Sequence, residues 1–177
     1  MSEPEIAILR QKIHGLSADD YATALRSRLP DTEIAVARTP DEEQALIESV
    51  PIVTGFSMDP TDVDAPNLDL FGCVYAGVGH LDLDAFEANG TAVTNASGVH
   101  GPNISEYVIG AMLSHVRGFK RAWRQEDRHE WRSYPARELQ GSTVTVVGLG
   151  AIGQAVVDRL DPFGVDTIGV RYTPEKG

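Results

Sequence analysis

The chain has 177 residues, enough for one packed domain or for a domain with part of another. Its 26 acidic residues outnumber 15 basic ones, giving a net charge of −11, and only Lys12, Lys120 and Lys176 are lysines. That surface disfavours nucleic acid and anionic membrane as partners, and its self-repulsion predicts a halophilic, haloarchaeal source. The start, MSEPEIAILR, lacks the basic and apolar segments of a signal peptide, and no run approaches the roughly 18 apolar residues of a membrane span, so a cytoplasmic location is expected.

Short β-type runs alternate with helical patterns along the first hundred residues. Glu5–Arg10 reads as a strand, and Asp19–Leu29 as a helix capped by Ser17, with Asp20 three residues on. Glu33–Arg38 is a second strand, and Thr39-Pro40-Asp41 opens a helix through Ser49 with proline at its first position. Pro51–Phe56, Leu70–Tyr75 and Thr91–Ala96 are further strands. A short helix, Asp82–Ala88, stops at Asn89-Gly90. The lone Cys73 sits in an apolar run, LFGCVYAG, and reads as a buried strand residue with no disulfide partner. Strands joined by single helices pair in parallel through right-handed crossovers, so residues 1–101 read as a flavodoxin-like α/β domain of about five strands.

A different element follows. In GPNISEYVIGAMLSHVRGFKRAW, Asn103 and Glu106 have capping-box spacing, and Ile104, Val108, Met112, Val116 and Phe119 recur at helical spacing. Residues 102–123 are therefore expected to form one helix linking two domains. Arg124–Ser133 is charged, with Trp131 exposed, and reads as a loop or as an arm reaching a second subunit. Residues 124–177 would begin a second domain. Near Leu139 a strand (STVTVV), a helix (AIGQAVVDRLDPF) and a strand (VDTIGV) make one βαβ unit.

Gly148, Gly150 and Gly153 spell G-x-G-x-x-G between that strand and that helix, the context that makes the pattern a dinucleotide loop. Gly148 would permit the tight turn, Gly150 the approach of a pyrophosphate, and Gly153 close helix–strand packing. The amides of Ala151 and Ile152 would face the phosphates at the helix N-terminus. The tip of the next strand selects the cofactor. It carries Arg171, Tyr172 and Thr173 where a carboxylate would favour NAD, while Asp166 lies at the wrong end of the strand. An arginine binds a 2′-phosphate bidentately, so NADP(H) is the expected cofactor, with NAD(H) possible.

Taken in order, YAGVGHLDLDAFEANGTAVTNA, SEYVIGAML with Glu106, and GSTVTVVGLGAIGQAVV resemble the D-2-hydroxyacid dehydrogenases from about Leu68 onward. The resemblance implies a flavodoxin-like substrate domain followed by the first βαβ unit of a Rossmann NAD(P)-binding domain. It also implies an NAD(P)-dependent oxidoreductase reducing 2-keto acids to D-2-hydroxy acids, with NADP(H) expected from Arg171, as a homodimer built on the 102–123 helix and its arm. By position, Ala76 and Gly77 match the backbone amides that clamp the substrate carboxylate, Tyr75 and Val78 line that pocket, and Ile104 touches the cofactor. Gly79 stands where many relatives carry aspartate. The family's catalytic arginine, glutamate and histidine are expected beyond Gly177, in a longer enzyme of which this chain is the N-terminal part. Neither His80 nor His100 is read as the proton donor, and no catalytic residue is assigned. The alternative is a non-catalytic, dinucleotide-sensing or regulatory α/β binding module.

Overall fold

The computed structural model of the protein describes residues 3–10 and 15–173. The chain divides into two compact units, Met1–Ser97 and Gly98–Gly177.

In the first unit, β1 (Ile6–Ile8), β2 (Ile34–Val36), β3 (Ile52–Gly55), β4 (Leu70–Cys73) and β5 (Ala92–Thr94) form one sheet in the order β2-β1-β3-β4-β5. Every pairing is parallel, with Ile6 opposite both Ile34 and Ile52, and Leu70 opposite both Ile52 and Ala92. This is the flavodoxin-like order, and it follows from the period-2 pattern. Ile6, Ile8 and Ile34 bury one face against Ala22 of α1 (Ala18–Arg26). Ala7, Leu9, Val53 and Phe71 bury the other against Ile47 of α2 (Pro40–Ser49) and Phe86 of α3 (Leu83–Asn89). Cys73 is buried and free, as its setting predicts. The helix ends are local chemistry: the hydroxyls of Ser17 and Thr39 and the carboxylate of Asp82 accept the N–H groups of Asp20, Glu42 and Ala85, and Gly90 closes α3 at φ 77°.

The second unit holds α4 (Gly101–Val116), α5 (Phe119–Glu126), β6 (Thr143–Val147), α6 (Ala151–Leu160), a 3-10 turn (Asp161–Phe163) and β7 (Asp166–Val170). β6 and β7 pair in parallel, Thr143 opposite Asp166 through Val147 opposite Val170. Ile109 of α4 packs with Leu139, Val156 and Leu160 in a separate core. Two sequence expectations are corrected here. The helix read over 102–123 is two helices, because the chain turns into the left-handed region at Gly118 (φ 69°), where the Tyr134 ring would lie 2.9 Å from an added Cβ. Asn103 is not a cap either: α4 begins at Gly101, with Pro102 in its first turn, and the Asn103 carboxamide oxygen accepts the neighbouring Ile104 N–H. Residues 174–177, at the end of the segment read as a second domain, lie outside the described residues.

Candidate functional site

Both candidate loops lie just past the carboxyl ends of parallel strands, where open α/β sheets bind ligands. In the first unit the chain leaves β4 with Val74 N–H still bonded to Gly55 O (3.0 Å). The next two carbonyls are then claimed from the β5 side: Tyr75 O accepts from Ala96 N–H and Ala76 O from the Asn95 carboxamide, both at 3.0 Å. Leu81 N–H closes the following turn onto Val78 O (2.9 Å). With the carbonyls drawn to one side, the N–H groups of Ala76, Gly77 and Val78 make no hydrogen bond among the described residues. Successive amides of this kind form an anion-binding concavity. Gly77 is not required by the fold, since its φ is outside the left-handed range and an added Cβ would meet nothing within 4 Å. The same space lies open at Gly79. Tyr75 is exposed at the rim and Val78 rests against the main core.

Sequence reasoning missed the neighbours that shape this loop. Asn95 pins Ala76 O, and its own carboxamide oxygen accepts Ser97 N–H (3.1 Å). That asparagine-centred turn was legible in the spacing of Asn95 and Ser97. Phe56, past the end of β3, stacks on His80 with ring centroids 4.4 Å apart, and no spacing in the sequence announces that pair. A cleft of about 400 Å³ opens beside His80 at the β1/β3 crossover reversal, lined by Glu43, Met58, Asp59 and Asp62. Burial raises the Asp62 carboxyl above its ordinary pKa, and Asp59 and Glu43 add to the shift. The backbone N–H and the hydroxyl of Thr61 hold Asp59 below its ordinary value. No metal-binding group of three or more ligands occurs among the described residues.

In the second unit the three glycines between β6 and α6 have three different physical reasons. Gly148 adopts φ 92°. Gly153 is buried, and an added Cβ would stand 2.0 Å from Gly148 O. Gly150, the N-cap of α6, has φ −77° and ψ −169°, open to any residue, and an added Cβ would meet nothing within 4 Å. Glycine at 150 therefore serves the space outside the loop. The Gln154 N–H bond to Gly150 O (2.9 Å) is the first of the helix, so the amides of Ala151 and Ile152 have no acceptor within it. A pyrophosphate fits here: an open approach over Gly150, unpaired amides, and the positive end of the helix dipole.

Gly148 N–H also bonds Val170 O (2.8 Å), which sets the tip of β7 beside the glycine loop. Arg171, Tyr172 and Thr173 follow at once, Arg171 half-buried and the other two exposed. The start of α4 lies along the first turn of α6, where an added Cβ at Gly101 would meet Ala155 Cβ at 3.3 Å and Ala151 O at 3.8 Å. Ile104 is half-buried one turn further along α4. The cofactor residues read from the sequence are thus gathered within this unit, while Tyr75 to Val78 are gathered in the other.

The chain is 31% identical over 159 residues to the D-3-phosphoglycerate dehydrogenase of Methanocaldococcus jannaschii, covering 86% of this chain and 30% of that enzyme. It is 28% identical to the hydroxypyruvate reductase of Thermotoga maritima over 165 residues, 89% of this chain and 53% of the reductase. Among solved structures it matches a D-isomer specific 2-hydroxyacid dehydrogenase family protein from Aeromonas salmonicida with a TM-score of 0.78 and 30% identity, over 96% of this chain and 54% of that one. The chain therefore spans only about a third to a half of these relatives. The family model for the NAD-binding domain of the D-isomer specific 2-hydroxyacid dehydrogenases matches residues 109–177.

Proposed function

We propose that the protein containing this chain reduces 2-keto acids to D-2-hydroxy acids with NADP(H), NAD(H) being the poorer donor. The observation that carries this is the Gly148–Val170 bond, which sets Arg171 beside an open glycine loop. Residues 1–101 form the substrate domain in this scheme, 102–123 the link, and 124–177 the start of the dinucleotide domain. The Ala151 and Ile152 amides hold the pyrophosphate over Gly150, and Gly148 and Gly153 shape the loop. Arg171 and the Thr173 hydroxyl bind the 2′-phosphate, with Tyr172 beside them, and Ile104 borders the cofactor from α4. Ala76 and Gly77 clamp the substrate carboxylate through their N–H groups, and Tyr75 and Val78 wall the pocket. The bound dinucleotide supplies the hydride. No residue of this chain is given the proton-donor role, His80 and His100 included.

Arg171→Ala tests the cofactor assignment. Loss of hydrogen bonds to a charged group costs about 1.5–3 kcal/mol, so NADPH binding should weaken on the order of ten- to a hundredfold. NADH binding should change less than about threefold, since the 2′-hydroxyl offers Arg171 no charge to pair. Equal losses for both dinucleotides, read by calorimetry, would remove the basis for NADP(H).

Two further features support the wider scheme. Tyr107, Phe119, Trp123 and Trp131 are exposed on α4, α5 and the segment after them, a surface suited to a second copy in a homodimer. The charge of −11 supports a halophilic source. Raising KCl from about 0.1 M to about 1 M shortens the Debye length from about 10 Å to about 3 Å, so the thermal midpoint of the protein should rise. A midpoint that falls or stays level over that range removes the halophilic assignment. Among the described residues no helix is long and apolar enough to cross a membrane.

A further inference from the structure

His80 joins the loop after β4 to the end of β3 by both a hydrogen bond and ring contacts. Its Nε2 lies 2.7 Å from Phe56 O. A carbonyl only accepts, so Nε2 carries the proton and donates. The same imidazole stacks on the Phe56 ring at 4.4 Å and 15°, and meets the Tyr75 ring edge-on at 6.0 Å and 86°. Tyr75 in turn packs edge-on against Phe56 at 5.3 Å and 74°. The three rings form a closed triangle, in geometries that aromatic groups prefer. Tyr75 stands at one end of the amide run of Ala76, Gly77 and Val78, and His80 stands just past the other. From the β5 side, the Tyr75 and Ala76 carbonyls of this backbone are held by the Ala96 N–H and the Asn95 carboxamide.

We propose that His80 is a positioning residue for substrate binding: it fixes the Tyr75 ring and the far end of the amide loop, so that the Ala76 and Gly77 N–H groups are held open toward a carboxylate. This rests on the assignment of that loop to the substrate. His80 touches no reacting atom in this role and moves no proton. Its function is to spare the substrate the cost of ordering the loop, which is paid in affinity and not in the chemical step.

The test uses the intact protein and oxamate, a 2-keto acid analogue that cannot be reduced, titrated calorimetrically into wild type, His80→Ala and His80→Phe. His80→Ala should bind oxamate about tenfold more weakly, and His80→Phe, which keeps the ring stack but not the hydrogen bond, should recover most of that loss. In turnover, His80→Ala should raise KM by a similar factor while kcat stays within about twofold, because only binding common to ground and transition states is lost. Amide shifts of Ala76 and Gly77 on oxamate addition locate the binding. Wild-type affinity in His80→Ala, a fall in kcat matching the rise in KM, or a wild type that does not bind oxamate overturns the proposal. A wild type that binds oxamate at Ala76 and Gly77 yet reduces no 2-keto acid counts against the dehydrogenase function alone, and the variants' oxamate affinities still decide the role of His80.

Discussion

Gly153→Ala is expected to destroy dinucleotide binding and to loosen the second unit. The added methyl would stand 2.0 Å from Gly148 O and 3.0 Å from Gly148 C, both backbone, with Val146 Cγ1 at 3.4 Å behind them. No side-chain rotation relieves a backbone clash, so α6 must move off β6 or the Gly148 turn must open. Overpacking of this severity lies at the upper end of its usual range, about 3 kcal/mol. Either movement displaces the Ala151 and Ile152 amides from a pyrophosphate, and losing two charge-assisted bonds costs on the order of a hundredfold or more in affinity. Thermal unfolding and dinucleotide calorimetry should therefore fall together. A variant with wild-type stability and affinity would contradict the packing described at this turn.

Gly150→Asp should separate the two properties. At this N-cap the backbone is extended and a Cβ has room, and aspartate is among the favoured N-cap residues. Its carboxylate would also complement the helix dipole, so stability should hold or rise by a few tenths of a kcal/mol. The same carboxylate occupies the pyrophosphate approach and repels it, so binding of either dinucleotide should fall by more than about a hundredfold. Dinucleotide affinity near wild type in Gly150→Asp would mean that the phosphates lie elsewhere.

The sequence was most legible where one residue settles a local choice. Ser17 caps the helix that its spacing announces, Thr39 caps the one that Pro40 opens, and Gly90 ends α3 in the left-handed turn expected of Asn89-Gly90, whereas Asp82, read as the first residue of α3, is its cap. The parallel sheet followed from alternation and crossover handedness, since Ile6 and Ile8 face one side and Ala7 and Leu9 the other. The glycine loop was legible because glycine spacing and the flanking strand and helix agree. Legibility failed where distant residues decide. The break at Gly118 depends on Tyr134 packing into the space a side chain would need, and the apolar spacing that runs on through Phe119 hides it. The strand read to Tyr75 ends at Cys73 because the Tyr75 and Ala76 carbonyls turn to Ala96 and Asn95, across the sheet edge. The Phe56–His80 pair joins residues 24 apart through a backbone carbonyl, a contact no local pattern encodes.

The most direct measurement is dinucleotide oxidation by the intact protein with glyoxylate, pyruvate and hydroxypyruvate, followed by the configuration of the product. The proposed function predicts keto-acid-dependent oxidation of NADPH, slower or weaker use of NADH, and a D-2-hydroxy acid from any substrate that yields a chiral product. Dinucleotide binding without oxidation by any 2-keto acid would contradict it, and would leave the glycine loop as part of a sensing or regulatory module.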